Sequence, residues 1–293
     1  MIVVTGVSGA LGGAILGGLR AAGGPQAAGA SSSGGGAGVR LADFDRPATL
    51  ERAFEGARVL VFVSAGYAED DVVLARHGAV VRAAAAAGVE HVIYTSLAGS
   101  GERLTIALAH RWTEARLAEA PFDVTVLRNA LYAEIPAGLA LAGVHAAADS
   151  GVFAAPLGEG RVSVAARQDL AAVAVRVAAE AWQDVVSGGA RRHAGRTYEL
   201  EGVSAVGGHD LAEVLSEVLG RPVAYRPVPL GDARAGLAGL EAYQAGHTIS
   251  TFSNIGAGLL EAGRSDLPAF LDAPRPARDL IAATVRAGVS PAR

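Results

Sequence analysis

The sequence predicts an α/β fold, a doubly wound parallel sheet followed by a smaller C-terminal α+β lobe. Three observations lead there. Short apolar runs recur without polar alternation, as strands buried on both faces do, at residues 1–5, 58–64 (RVLVFVS), 91–96 (HVIYTS) and 123–128 (DVTVLR). Helical patterns separate them. After residue 130 Pro and Gly become more frequent and the predicted elements shorter. The expected division is residues 1–150 for the sheet domain and 151–293 for the lobe, with the chain crossing between the two.

Taken in order, residues 1–5 form a strand that breaks directly into Gly6-Val7-Ser8-Gly9-Ala10-Leu11-Gly12, and an Ala/Leu-rich segment to residue 22 reads as a helix. The stretch 23–38 (GGPQAAGASSSGGGAG) stands where a second strand and its helix belong. It predicts only a truncated strand near 26–32 and a glycine loop. Residues 71–87 read as a helix closed by Gly88, and 106–120 as another. In the lobe the pattern predicts strands at 151–153, 197–200 and 223–227 and helices at 169–182 and 209–219. The Gly/Ala-rich stretch 231–263, with His247, reads as a surface loop.

Composition narrows the chemistry. Apolar types make up 51% of the 293 residues but aromatics only 5%, beside 39 Gly, so helices must pack closely on the sheet through Ala, Val and Leu. A net charge of -4 without a basic cluster argues against nucleic acid. All 25 basic residues are Arg, which removes Schiff bases, a phosphate-loop lysine and any Tyr/Lys proton relay. The absence of Cys removes thiol nucleophiles and disulfides. No His/carboxylate cluster has metal-ligand spacing, so no metal is expected. With no basic leader and no apolar run near the roughly 20 residues of a membrane helix, the chain is expected in the cytoplasm.

The Gly6/Gly9/Gly12 spacing between strand and helix suits a dinucleotide: a turn glycine, room for a pyrophosphate, and a helix N-terminus behind it. No acidic residue occurs from 23 to 41 to hold a ribose 2′-hydroxyl. Ser31, Ser32 and Ser33 offer hydroxyls to a 2′-phosphate instead, with Arg40 as the nearest cation, so NADP is the expected cofactor and NAD the alternative.

Six segments in order carry a resemblance that covers most of the chain: TGVSGALG (5–12), LADFDRPATLERAFEG (41–56), AAGVEHVIYTSL (86–97), TVLRNALYAE (125–134), GVFAAPLGEGRVSVAARQDLA (151–171) and GRTYELEG (195–202). Together they resemble the NmrA-like branch of the atypical short-chain dehydrogenase/reductases, and are especially similar to its bacterial NADPH-dependent quinone oxidoreductase type. The resemblance implies a Rossmann domain with a small substrate lobe. It implies that Gly6, Val7, Ser8, Gly9, Ala10, Leu11 and Gly12 hold the pyrophosphate and that Asp43 and Phe44 flank the adenine. Ser64, Ala65 and Gly66 would line the ribose and nicotinamide side, Thr95, Ser96 and Leu97 would lie beneath the nicotinamide, and Asn129 and Tyr132 would face the substrate. Relatives carry a longer second strand region with a basic residue for NADPH, and several carry a helical Lys where this chain has Ala115.

Without Lys, chemistry that must protonate an alkoxide is disfavoured, whereas a quinone yields an anion about as basic as a phenolate, with a pKa of about 10. The expected activity is therefore hydride transfer from NAD(P)H to a quinone or quinone-like polycyclic aromatic, extending to tailoring of aromatic polyketides. Ser96, His110, Asn129 and Tyr132 are the candidate donors to the developing oxyanion. His77 is expected to be a bonded core or cofactor-edge histidine. The expected partner is a small aromatic or quinone substrate, with a homodimer as an option. A dinucleotide-sensing regulator without turnover, and cofactor-free chemistry on an aromatic polyketide, are the alternative readings.

Overall fold

The computed structural model describes residues 1–23, 25–65, 68–99 and 103–289. By contacts the chain falls into two compact units. The first comprises Met1–Leu97, Leu108–Asn129 and Gln168–Tyr198. The second comprises Ala98–Ala107, Ala130–Arg167 and Glu199–Arg293, so no single cut at residue 150 separates them.

The first unit holds strands β1 (Ile2–Thr5), β2 (Ala27–Ser31), β3 (Val39–Leu41), β4 (Val59–Val63), β5 (His91–Leu97) and β6 (Asp123–Asn129). Its helices are α1 (Ala10–Ala21), α2 (Ala48–Phe54), α3 (Asp70–Ala86), α4 (Leu108–Ala118) and most of α6 (Arg167–Ser187). The remaining helix α5 (Glu134–Ser150) and strands β7 (Val152–Ala155) and β8 (Arg161–Val162) belong to the second unit. With β9 (Arg196–Leu200) the main sheet has seven strands in the order β3-β2-β1-β4-β5-β6-β9. The pairings from β3 through β6 are parallel, with Ile2 opposite both Ala27 and Val59 and Leu97 opposite Asn129. Chain order reverses at β1, which places the glycine turn after β1 at the switch point where ligands bind in such sheets.

One expectation holds and one is corrected. The second strand stands where it is expected, as β2, which pairs with β1 from Ala27 to Ala30. What is short is its connection to β3, seven residues with Gly34, Gly35, Gly36 and Gly38 all at positive φ instead of a helix. The helix and strand placed in the lobe, α6 and β9, instead continue the main sheet and its covering layer. Close packing through small residues holds as expected. A Cβ on Gly29 of β2 would come within 2.8 Å of Leu16 on α1 and of Val7. One face of the sheet buries Leu50, Phe54, Leu60, Phe62, Val80, Tyr94 and Leu117.

In the second unit β7 pairs in parallel with β11 (Ala224–Pro227), and β8 pairs antiparallel with β10 (Val206–Gly207). The Tyr225 hydroxyl donates to Ala155 O and Gly158 O, which fixes the β7 end. Helices α7 (Gly208–Leu219), α8 (Leu230–Ala235), α9 (Ala242–Gly256), α10 (Leu267–Phe270) and α11 (Ala277–Val289) complete it. The stretch expected as a loop is therefore largely helical, and His247 lies within α9. Among the described residues no helix is long and apolar enough to cross a membrane.

Candidate functional site

The three glycines after β1 do three different things. Gly6 takes φ +64°, a backbone conformation that a side chain disfavours. Gly12 lies so close to the strand that a Cβ would stand 2.4 Å from Gly6 O and 2.8 Å from Thr5 O. It lets the helix start directly against the turn. Gly9, the N-cap of α1, is exposed in extended conformation, and a Cβ there would meet only Gly6 O at 3.3 Å. A helix leaves its first N–H groups without an intrahelical acceptor, and here Gly13 N–H donates to Gly9 O at 2.9 Å as the chain enters α1. The first turn carries no acidic residue and Gly9 has no capping side chain. This is a cradle for an anion, and it fits the pyrophosphate of a dinucleotide. Ser8, Gly9 and Ala10 are exposed there, whereas Leu11 is buried and offers its backbone alone.

Threonines and a histidine fix the neighbouring strand ends. Thr5 Oγ1 accepts from Val63 N–H at 3.0 Å, Thr95 Oγ1 from Ser64 N–H at 3.1 Å, and His77 Nε2 from Ala65 N–H at 3.0 Å. Since Nε2 accepts, the proton of the neutral ring is on Nδ1, which donates to Thr113 Oγ1 at 2.7 Å, and Thr113 in turn donates to Ala109 O. His77 is thus a fully buried strut beneath residues 64 and 65, and burial pushes its pKa down to about 3. Gly66 lies outside the described residues.

At the end of β5, Ser96 does not act as a free donor. Its hydroxyl donates to Glu114 Oε1 at 2.5 Å and accepts from Arg111 Nη1 at 3.4 Å. Arg111 also donates to Leu97 O at 2.9 Å, and Arg128 pairs with Glu114 at 2.6 Å. Burial works to raise the Glu114 carboxyl, but the Arg128 and Ser96 hydrogen bonds and the two guanidinium charges outweigh it and hold the group below the ordinary carboxylate range. The half-buried His110 meets the buried Tyr94 hydroxyl at 2.9 Å, and burial raises the Tyr94 pKa. Asn129 differs from these. It is 5% exposed, and its Oδ1 is buried without a partner among the described residues. Such an orphaned group costs about 1–3 kcal/mol, and it sits at the C-terminal end of β6 opposite Leu97.

No family model matches the chain. A crystal structure of an NADPH-dependent quinone oxidoreductase from Escherichia coli, complexed with NADPH, superposes with a TM-score of 0.82 and 30% identity, covering 97% of this chain and 99% of the other. The chain belongs to the NmrA-like branch of the atypical short-chain dehydrogenase/reductases. A triphenylmethane reductase of Citrobacter sp., complexed with NADP(H), gives a TM-score of 0.83 with 28% identity over 98% of this chain and 99% of its own. Quinone oxidoreductase 2 of E. coli K12 is 36% identical over 200 residues, 68% of this chain. The matched stretch spans 64% of that relative's length.

In this NmrA-like protein the end of the second strand carries serines. Ser31 is buried with its Oγ 3.5 Å from Ser33 Oγ, and Ser32 is exposed at the strand end. Arg40, expected as the nearest cation, points the other way. It donates to Ala53 O, Glu55 O and the sulfur of Met1, at the end of the sheet opposite the glycine turn. Asp43 accepts from Asp45 N–H and Arg46 Nε, and Phe44 lies edge-on to Phe62 with ring centroids 6.0 Å apart. In the second unit, the Arg167 guanidinium covers the Tyr132 ring at 4.7 Å, and burial raises the Tyr132 pKa. His77 is the bonded core histidine that the sequence leads one to expect, whereas the Glu114 cluster is not legible there, because strand and helix patterns do not tell which side chains meet.

Proposed function

We propose that this NmrA-like protein is an NAD(P)H-dependent reductase that delivers hydride to a quinone or a quinone-like polycyclic aromatic. The observation that carries the reading is that the proton-bearing groups of Ser96 and Tyr94 on β5 and of His77 on α3 already face protein partners: Ser96 faces Glu114, His77 faces Thr113, and Tyr94 meets His110. The chain has no Lys to replace them. A ketone would need a proton as the hydride arrives. A quinone takes one hydride and becomes a stabilised hydroquinone anion that takes its proton from water. The reduced nicotinamide supplies the hydride when bound. The protein's part is then to seat the pyrophosphate on the α1 cradle, to hold residues 64 and 65 through Thr95 and His77, and to exclude water, which is catalysis by proximity and orientation. The quinone oxidoreductase and the dye reductase among the relatives support this substrate class. Polycyclic aromatics of polyketide origin fall within it, which would make the chain a tailoring enzyme of antibiotic or pigment biosynthesis.

The test follows the consumption of NADPH and NADH with simple quinones and, separately, with simple ketones. Oxidation with quinones and none with ketones is the expected result. Tight nucleotide binding with no consumption by any quinone would replace the enzyme by a nucleotide sensor.

Asn129→Leu gives a sharper reading of the site. Removing an amide whose buried oxygen has no partner among the described residues is expected to raise stability in urea unfolding by about 1 kcal/mol, while the quinone reduction rate falls at least about tenfold because the ligand loses an unbonded polar neighbour at the β6 end. A destabilised variant with full activity would show that Asn129 serves the fold.

A further inference from the structure

In folds of this kind an acidic residue at the end of the second strand selects NAD by holding the ribose diol, and a cation there selects NADP by pairing with the 2′-phosphate. This chain has neither. Between residues 23 and 41 there is no Asp or Glu, and the one cation, Arg40, is bound at the opposite end of the sheet. The guanidinium groups on the surrounding elements are engaged as well. Arg20 donates to Ala37 O and Gly38 O, Arg46 to Asp43, and Arg76 to both oxygens of Asp45 at 2.7 Å. Arg52 lines a groove on α2 together with Arg40 and Glu55. Asp43, the first carboxylate after β3 in the chain, already accepts on both oxygens. What remains at the end of β2 is the hydroxyl of Ser32, with those of Ser31 and Ser33 beside it. A hydroxyl is indifferent to the two ligands, since it donates to a phosphate oxygen as readily as it accepts from a ribose hydroxyl.

Resting on the reading that the α1 cradle seats a nicotinamide dinucleotide, we infer that this chain binds NADH and NADPH with comparable affinity, and that Ser32 is the position at which a single charge decides between them. The adjoining glycines cannot serve, because their positive φ opposes a side chain, whereas Ser32 is exposed immediately beyond the strand. The pyrophosphate cradle supplies the binding common to both nucleotides. The 2′-phosphate adds to it no ion pair to gain and no carboxylate to repel it.

Direct binding tests this without turnover, by titrating the wild type and the Ser32→Arg and Ser32→Asp variants with NADH and NADPH and following the fluorescence of the reduced nicotinamide. In the wild type the two dissociation constants are expected to agree within about tenfold, and the NADPH value to respond to salt no more steeply than the NADH value. Ser32→Arg is expected to shift the ratio toward NADPH by about ten- to a hundredfold, and to make NADPH binding more salt-sensitive than NADH binding. Ser32→Asp is expected to shift it toward NADH by a similar factor. A wild type that prefers either nucleotide by more than about tenfold, or a ratio that either variant leaves unchanged, overturns the inference. A wild type that binds neither nucleotide overturns the cradle itself.

Discussion

Gly9→Val is expected to raise the dissociation constant for either nicotinamide nucleotide at least about a hundredfold while leaving the fold in place, since two or three charge-assisted hydrogen bonds to the pyrophosphate are lost. The backbone at Gly9 is extended at φ -86° and ψ 161°, which a β-branched residue adopts without strain, and the added Cβ meets only Gly6 O at 3.3 Å. The cost to stability is that of a poor N-cap, about 1 kcal/mol. Two companion variants separate affinity from folding. Gly12→Ala pushes a Cβ onto the Gly6 and Thr5 backbone, which has no free side-chain end to move aside, and should cost about 3 kcal/mol together with the affinity. Gly17→Ala, on the exposed face of the same helix with nothing within 4 Å of the new Cβ, should stabilise by about 0.5–1 kcal/mol and leave nucleotide binding unchanged. Urea unfolding and nucleotide titration on the three proteins check the set. Unchanged affinity in the valine variant would show that the loop does not carry the nucleotide.

The contrast between those glycines shows how much the sequence discloses. Its 6/9/12 spacing locates the cradle, because spacing between a strand and a helix has a direct geometric meaning. It does not tell Gly12, where a Cβ would collide with the Gly6 and Thr5 backbone, from Gly9, where it would meet only Gly6 O at 3.3 Å. The strands β4, β5 and β6 are legible because Val, Ile, Leu and Phe mark a strand buried on both faces. The Ala-Ala-Gly-Ala-Ser of β2 carries no such signal. It is a strand because β1 and β3 pair with it on either side, and because Gly29 leaves room for Leu16 and Val7. The order of elements predicts a short strand near 26–32, and its neighbours, not its letters, make it one. Chain order likewise misplaces α6 and β9, which follow the lobe's first elements in sequence yet belong to the first sheet. Helix α9 hides behind its Ala and Gly content, although Glu241 N–H donating to Gln244 Oε1 is a start signal at the right spacing. Of the candidate donors, Ser96 is placed correctly at the strand end but its role changes once Glu114 is seen beside it, a contact that no periodicity encodes.

Acid should destabilise this protein from the neutral range downward, well above the usual carboxylate range, because two buried histidines hold it. Burial pushes the His77 pKa to about 3 and the His91 pKa to about 4, both from an ordinary 6.5. Geometry explains why neither ring accepts a second proton. His77 Nε2 accepts from Ala65 N–H, so protonation would set two donors face to face. Thr125 donates to His193 O, so it accepts from His91 Nε2–H, and His91 Nδ1 lies buried without a partner among the described residues. An added proton there would find no acceptor. Both folded-state values lie below the unfolded one, so the unfolded chain binds more protons throughout the interval. Stability is fully present above pH 6.5 and is lost as pH falls toward the folded values, by about 1.4 kcal/mol per pH unit for each ring. The buried Glu201 carboxyl, which burial raises to about 7, works the other way over the same interval and offsets up to the share of one ring, so the net loss between pH 6.5 and about 4 is about 3–7 kcal/mol. Urea unfolding at a series of pH values should therefore be flat above about 7 and fall below 6.5, and His91→Gln should take about 1.4 kcal/mol per pH unit out of the slope. Nucleotide affinity of the molecules that stay folded should hold over the same interval, because His77 keeps its neutral ring down to about pH 3 and with it the bond from Ala65 N–H. Stability that stays level from pH 7 to pH 5 would show that the two rings charge as easily folded as unfolded.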